Sequence, residues 1–375
     1  MNNDSLSTSA TSEHVAPENN TPTNNYRRWM TDMAADIAHL KLYQLAIPGA
    51  HNSGVDEDGN YHVGQNWAIC QYNDFSSQLA AGARYLDLRL VDSSYKKDVG
   101  GKKPNYQFKE IFEFKHGIVT VGRRLSGLVS AVYNFSTENP GEIVIIDFHH
   151  YDKGRHYAHT SLQLCLPYFN SIKNRLIPPS ARDLSIGEIR QTHPGCNIIL
   201  CLSHGSPDSW PGGVVRKDQI WSPLPHQWTS DATETNVTSL VTKSMTSPPS
   251  GYWVLSAAAG SPPKDLRADH PIRTEAFAPG RQNANILMVD FINGANARTS
   301  VVDRCIELSR RIGRDNIRPD APTNFVVTPK DETVVDGKYE NTLVFSWTPS
   351  VDNVGAPTYE IHQNDSFLAR TNRNS

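Results

Sequence analysis

The chain has 375 residues, 38% of them hydrophobic and 20% charged, enough for one large domain with a sizeable core and a smaller one beside it. Its 36 basic and 39 acidic side chains leave a net charge of −3 at pH 7, which excludes a global field drawing it to nucleic acid or an anionic bilayer. Any membrane contact is then local, peripheral and largely apolar, and no stretch is apolar enough to span a bilayer.

Residues 1–25 are rich in Asn, Ser and Thr, lack the apolar centre of a signal peptide, and read as a disordered leader. Between Tyr26 and Gly313 short apolar runs alternate with longer amphipathic stretches, the pattern of an α/β fold with parallel strands. Strands are expected near 43–48, 84–90, 112–116, 142–149, 197–203, 218–222, 251–257 and 285–291, and eight is the count that closes a barrel. Helices are expected near 75–81, 121–137, 160–175, 234–246 and 299–312. Asp92 to Gln107, rich in Gly, Lys, Asp and Ser, reads as a loop, so the barrel should be irregular with at least one helix missing. Cys70, Cys165, Cys196, Cys201 and Cys305 have no metal-like spacing, and Cys201 lies in an apolar run where a buried thiol is expected rather than a disulfide. Residues 314–322, with Arg318-Pro319-Asp320-Ala321-Pro322, read as a linker. Beyond it, 323–375 contains alternating segments at Asn324–Thr328, Thr342–Trp347 and Thr358–His362. There Trp347 and Tyr359 resemble the core aromatics of a fibronectin type III module, a partial β-sandwich too short to be complete.

Parallel barrels build their sites at the carboxyl ends of the strands. His51, Arg89, His116, His149 and Asp290 all fall at or just after such ends. Asp87 and Arg89 are two residues apart in Arg84-Tyr85-Leu86-Asp87-Leu88-Arg89 and so share a face, although Asp87 is equally suited to a structural pairing with Arg84 or Arg89. Two imidazoles, a carboxylate and a guanidinium form a base, an acid and an anion clamp, the parts that phosphodiester chemistry needs. Asp290 orients a histidine or caps the following loop. Trp210, in Ser209-Trp210-Pro211, is an interfacial anchor or ordinary packing. His149 and His150 alternate on a strand, a poor chelating geometry.

Ile47–His51, Gly82–Arg89, His116-Gly117 and Asn139–Phe148, in that order, resemble the X domain of phosphatidylinositol-specific phospholipases C. Ile220-Trp221-Ser222 followed by Trp228 adds a likeness to X-domain proteins that lack the modules of the eukaryotic signalling enzymes. The resemblance covers 26–313 and implies a distorted TIM barrel that cleaves phosphatidylinositol to diacylglycerol and an inositol (cyclic) phosphate. By that resemblance His51 is the general base, His116 the general acid, and Asp290 the carboxylate behind the base. Arg89 stands where calcium-dependent members have a metal-binding carboxylate, so no metal and no cofactor is expected. Asn52 replaces an Asp often found there, which leaves Asp87 or Asn52 itself to hold Arg89. His149 falls in the substrate pocket. The implied partner is an inositol phospholipid at a membrane surface, met by a monomer. The resemblance suggests an extracellular protein, against which stands the lack of a visible signal peptide, so a cytoplasmic one stays open. Two other readings remain: a metal-dependent glycerophosphodiester phosphodiesterase or phospholipase D-like enzyme, which needs a Glu/Asp pair where this chain has Asp87 and Arg89, and a non-catalytic inositol-lipid binding module.

Overall fold

A computed structural model describes residues 25–61, 65–98, 106–109, 111–152, 164–202, 210, 212–266, 270–277, 284–294, 301–314, 323–335, 338–348, 359–363 and 366–371. Seven parallel strands form its centre: β1 (Ile47–Ala50), β2 (Tyr85–Asp92), β7 (Val144–Asp152), β8 (Ile198–Leu202), β9 (His226–Gln227), β10 (Val254–Ser256) and β11 (Ile286–Val289). They run in the order β8-β7-β2-β1-β11-β10-β9, and β8 and β9 do not pair with each other, so the sheet curls into an open, distorted TIM-type barrel. β1 and β8 are buried at every position, as expected of strands covered on both sides. At Gly49 an added Cβ would lie 3.0 Å from Tyr85 and 3.1 Å from Ile286, so the close approach of β1 to its neighbours requires glycine.

Three expectations for the strands and the loop after β2 need correction. The run 112–116 does form a strand, β5 (Phe112–His116), but it pairs antiparallel with β2 and with β6 (Val119–Arg124). A hydrophobic run does not encode strand direction; β1 ends at Ala50, and β5 takes up the edge of β2 at Leu90–Asp92. The run 218–222 is not a strand: it holds the 3₁₀ turn Lys217–Gln219 and a single bridge from Trp221 to Cys201. The strand here is the two-residue β9, too short to leave a periodic signal. The expected loop after β2 contains a hairpin of β3 (Tyr95–Asp98) and β4 (Tyr106–Lys109), with 99–105 outside the described residues.

Helix Leu125–Glu138 buries Leu125, Leu128, Val129, Val132 and Phe135, one face of a 3.6-residue repeat, and stops before Pro140-Gly141. Helices Phe75–Ala80 and Glu234–Thr246 begin on Asp74 and Thr233, whose side chains accept from the Ser77 and Asn236 amides. The expected helix at 160–175 is, in its described part, mainly the 3₁₀ segments Leu166–Ser171 and Lys173–Arg175. Helix Asp303–Arg314 is pinned to the segment before β1 by Ser309 Oγ, which accepts from the Ala46 amide and donates to its carbonyl, both at 3.0 Å.

At the amino ends of β2 and β7, Arg84 and Glu142 form a fully buried ion pair of 2.7 Å. Glu142 also accepts from the Met30 and Thr31 amides, and Arg84 donates to the Tyr26 and Arg27 carbonyls, so the pair ties the N-terminal helices to the barrel floor. Arg84 thus pairs with Glu142 and leaves Asp87 to other partners. No helix among the described residues is long and apolar enough to cross a membrane. No two cysteines among them form a disulfide, and Cys201 is buried.

After 322 the chain forms two antiparallel hairpins, β12 (Thr323–Val335) with β13 (Lys338–Thr348) and β14 (Tyr359–Gln363) with β15 (Ser366–Thr371). Phe325 stacks on Trp347 with ring centroids 6.2 Å apart. Of the expected linker 314–322, Arg314 ends the helix Asp303–Arg314 and 315–322 lie outside the described residues.

Candidate active site

β1 delivers His51 to the carboxyl end of the barrel, and β11 delivers Asp290 beside it. His51 Nδ1 lies 2.7 Å from Asp290 Oδ1, and Asp290 is 2% exposed. A carboxylate at that distance accepts a proton from Nδ1, which leaves the lone pair on Nε2. The second contact agrees: Arg89 Nη2 donates to His51 Nε2 at 3.1 Å. The Nε2 of His51 is thus aimed at the guanidinium.

The backbone here is strained. Asn52 and Phe291, which directly follow His51 and Asp290, adopt left-handed φ of 42° and 53°. Asp87 Oδ2 accepts the Asn52 amide at 2.9 Å, and the Asp87 carbonyl accepts the Ser53 amide at 2.8 Å, fixing the turn after β1. Asp87 Oδ1 and His149 Nδ1 form an ion pair of 2.5 Å. Burial raises the Asp87 carboxyl, but His149, then Arg89 and His51, outweigh it and hold the group well below its usual range. Burial lowers His149, and Asp87 outweighs this and raises it. Arg89 makes no ion pair with Asp87 within 4 Å among the described residues, so neither Asp87 nor Asn52 grips it as expected.

β5 brings in His116, whose ring stands edge-on to His51 with centroids 6.0 Å apart. Its Nδ1 lies 2.9 Å from the Ala68 carbonyl, which leaves Nε2 for a ligand. Burial, and then the neighbouring His51, lower its pKa from the ordinary imidazole value, and the Ala68 carbonyl opposes them. His51, Arg89, His116 and His149 line one cavity of about 500 Å³, with Lys115, His226, Trp228 and Ser256 among the other walls. His150 lines it too, against the expected alternation: between Asp87/Asp147 and Arg89/His150 the register slips by one, a bulge that re-aims the end of β7. Trp210 is partly buried against the core and donates to the Val215 carbonyl at 2.8 Å, which is packing.

No protein-family profile matches the chain. It is 27% identical over 213 residues to human PI-PLC X domain-containing protein 2, covering 50% of this chain and 64% of the relative. The mouse counterpart is 30% identical over 174 residues, covering 40% and 46%. Mouse PI-PLC X domain-containing protein 1 is 23% identical over 337 residues, covering 77% of this chain and 90% of the relative. The chain is thus similar in sequence to PI-PLC X domain-containing proteins. In the first two of these matches it spans about half to two thirds of the relative's length. Its fold matches phosphatidylinositol-specific phospholipase C from Staphylococcus aureus, at a TM-score of 0.53 and 17% identity over 75% of this chain and 98% of that one. The enzyme from Listeria monocytogenes gives 0.52 and 15% over 76% and 98%.

Around this cavity the structure adds residues that carry little signal in the sequence. Asp147, fully buried in β7, accepts from Tyr85 Oη at 3.0 Å and from the Leu224 amide at 3.2 Å. Tyr85 Oη has one proton, given to Asp147, so it accepts from His226 Nε2 at 3.0 Å. His226 then stacks on His149 with centroids 4.5 Å apart. A carboxylate inside the run Ile145-Ile146-Asp147-Phe148 was the available signal, since a buried charge demands partners; His226, in a two-residue strand, gave none. Gln71, also buried, donates to the His51 and Val289 carbonyls and accepts the Ile292 amide.

Proposed function

We propose that this protein is a phosphatidylinositol-specific phospholipase C that cleaves phosphatidylinositol to diacylglycerol and an inositol (cyclic) phosphate, with an arginine in place of a metal. The observation that carries the reading is a base held in one tautomer by Asp290 and Arg89, with a second imidazole facing it across 6.0 Å. His51 Nε2 takes the proton of the inositol 2-hydroxyl as that oxygen attacks phosphorus. Asp290 stabilises the imidazolium that forms. His116 Nε2 gives a proton to the departing glycerol oxygen, each proton transfer contributing about 10²–10⁴-fold. The negative phosphate, on binding, offsets the burial that lowers His116 and favours its acidic form. Arg89 hydrogen-bonds the non-bridging oxygens as charge builds on them.

The cavity mouth is suited to a lipid surface. Trp67 is 64% exposed, one residue before the Ala68 carbonyl that holds His116. Ile118 is 99% exposed, two residues after His116, and Trp228 is 63% exposed on the cavity wall. One exposed tryptophan on the cavity wall, with two more exposed apolar groups close in sequence to residues that hold or line the site, offers a local, uncharged membrane contact for a chain of nearly balanced charge. A metal-dependent reading is disfavoured because Arg89 already places a cation beside the base and both Asp87 oxygens are engaged.

Phosphorus NMR of products from phosphatidylinositol vesicles, with and without chelator, tests the proposal. A cyclic inositol phosphate formed equally in both supports it. No turnover in either condition refutes it in favour of a binding module, and turnover only with added calcium refutes the arginine assignment.

A further inference from the structure

Behind the base and the acid lies a thiol that the proposed reaction does not use. Cys70 is fully buried; its Sγ donates to the Ala68 carbonyl at 3.2 Å and lies 3.5 Å from His116 Nδ1. Asn52 Nδ2 reaches the same sulfur at 3.6 Å, and the buried Asn52 Oδ1 has no hydrogen-bond partner. One ligand atom each of His51, Cys70 and Asp290 lies within 4.8 Å of the other two. We propose that these three side chains form an inhibitory site for a soft divalent cation, Zn²⁺ or Cd²⁺, inside the catalytic centre.

The donor chemistry selects the ion. A thiolate, an imidazole and a carboxylate are ligands that zinc takes, whereas calcium and magnesium require oxygen ligands throughout. The His51 and Asp290 ligand atoms already face each other at 2.7 Å and need only part modestly to admit an ion. Arg89 opposes a cation here, but the buried carboxylates of Asp290 and Asp87, the latter 3.9 Å from His51 Nε2, supply the compensating charge.

Binding replaces the Cys70 S–H bond by a metal–sulfur bond and releases that proton. The ion takes His51 Nδ1, so the proton there moves to Nε2, which gives up its hydrogen bond from Arg89, and no further proton leaves. His51 then presents a donor where the reaction needs a base, and activity stops without any change of fold.

The occupied site does not depend on the proposed reaction; only its inhibitory effect does. The full-length chain, stripped with EDTA and then freed of it, is titrated with Cd²⁺. Thiolate-to-cadmium absorption and ¹¹³Cd NMR read binding, and hydrolysis of a soluble inositol phosphodiester reads activity. One equivalent with a single sulfur ligand is expected, with activity lost in step and restored by EDTA. Cys70→Ser should abolish the absorption and weaken any inhibition at least tenfold, while Cys196→Ser changes neither. No saturable one-sulfur site in the wild-type chain overturns the proposal even if Cys70→Ser fails to fold, as does a band that survives Cys70→Ser. A chain that binds one ion through Cys70 yet hydrolyses nothing keeps the site and refutes the proposed function instead.

Discussion

Replacing Asp290 by Asn separates two ways in which a carboxylate can serve a catalytic histidine. The wild-type contact is a 2.7 Å bond between His51 Nδ1 and a carboxylate 2% exposed to solvent. Asn keeps an acceptor oxygen but removes the charge that stabilises the imidazolium. A hydrogen bond to a charged group contributes about 1.5–3 kcal/mol, which corresponds to a roughly 10- to 150-fold loss in kcat. In serine proteases the same change costs about 10⁴-fold, because the imidazole turns to the wrong tautomer. Here Arg89 Nη2 donates to Nε2 at 3.1 Å and opposes a proton on that nitrogen, so the tautomer should survive. The assay is kcat on a soluble inositol phosphodiester, with ¹⁵N NMR of His51 to read which nitrogen carries the proton. A loss near 10⁴-fold with the proton on Nε2 refutes the role given to Arg89. A loss below about threefold, less than one such bond contributes, refutes the role given to Asp290.

Arg89→Lys keeps the charge and loses the planar fork, so kcat should fall about 10²–10³-fold, unchanged by EDTA; rescue by calcium would show that a metal takes the place of the guanidinium. Glu142→Gln leaves the Arg84 guanidinium buried with its charge uncompensated and should cost about 3–5 kcal/mol in urea unfolding; a loss below 1 kcal/mol would mean that the floor of the barrel is not held by this pair. His149→Gln tests the Asp87 pair through pH. The lowered Asp87 contributes stability above its unfolded pKa of about 3.9 and loses it as pH falls, while the raised His149 contributes below its unfolded pKa of about 6.5 and loses it as pH rises through its folded value. The wild-type advantage in melting temperature should therefore be greatest between these limits and shrink on either side, and a flat difference across pH would contradict the pairing.

What the sequence made legible follows from what each signal encodes. His51, Arg89 and Asp290 stand at the ends of apolar runs, and the carboxyl-end rule brings them together whatever the barrel's irregularities. His116 was found for the right position but with the wrong strand direction, since Phe112–His116 reads alike in a parallel strand and in a hairpin. The fibronectin-like resemblance rested on Trp347 and Tyr359, whereas the described chain shows two hairpins. His226 and the bulge beside His149 were illegible because both depend on pairing register rather than periodicity.

The same limit hid Gln71, which lies outside every barrel strand yet joins the backbone at His51 to the backbone on both sides of Asp290. Its Nε2 donates to the His51 carbonyl at 2.7 Å and the Val289 carbonyl at 3.2 Å, and its Oε1 accepts the Ile292 amide at 2.9 Å. Next to it, the Cys70 carbonyl accepts the amide of Phe291 at 2.7 Å, and the Ala68 carbonyl holds His116. One short segment thus grips both sides of the proposed reaction and the two left-handed residues, Asn52 and Phe291. Gln71→Ala strands two carbonyls and an amide in a buried site, at about 1–3 kcal/mol for each group left unsatisfied. If the segment only stabilises the fold, the melting temperature falls and kcat, measured well below it, stays unchanged. If it positions the base, kcat falls at least tenfold with KM little altered, and ¹⁵N shifts of His51 report a weakened bond to Asp290. We expect the second result. A destabilised variant with wild-type kcat and unshifted His51 resonances would show that barrel strands alone hold the site.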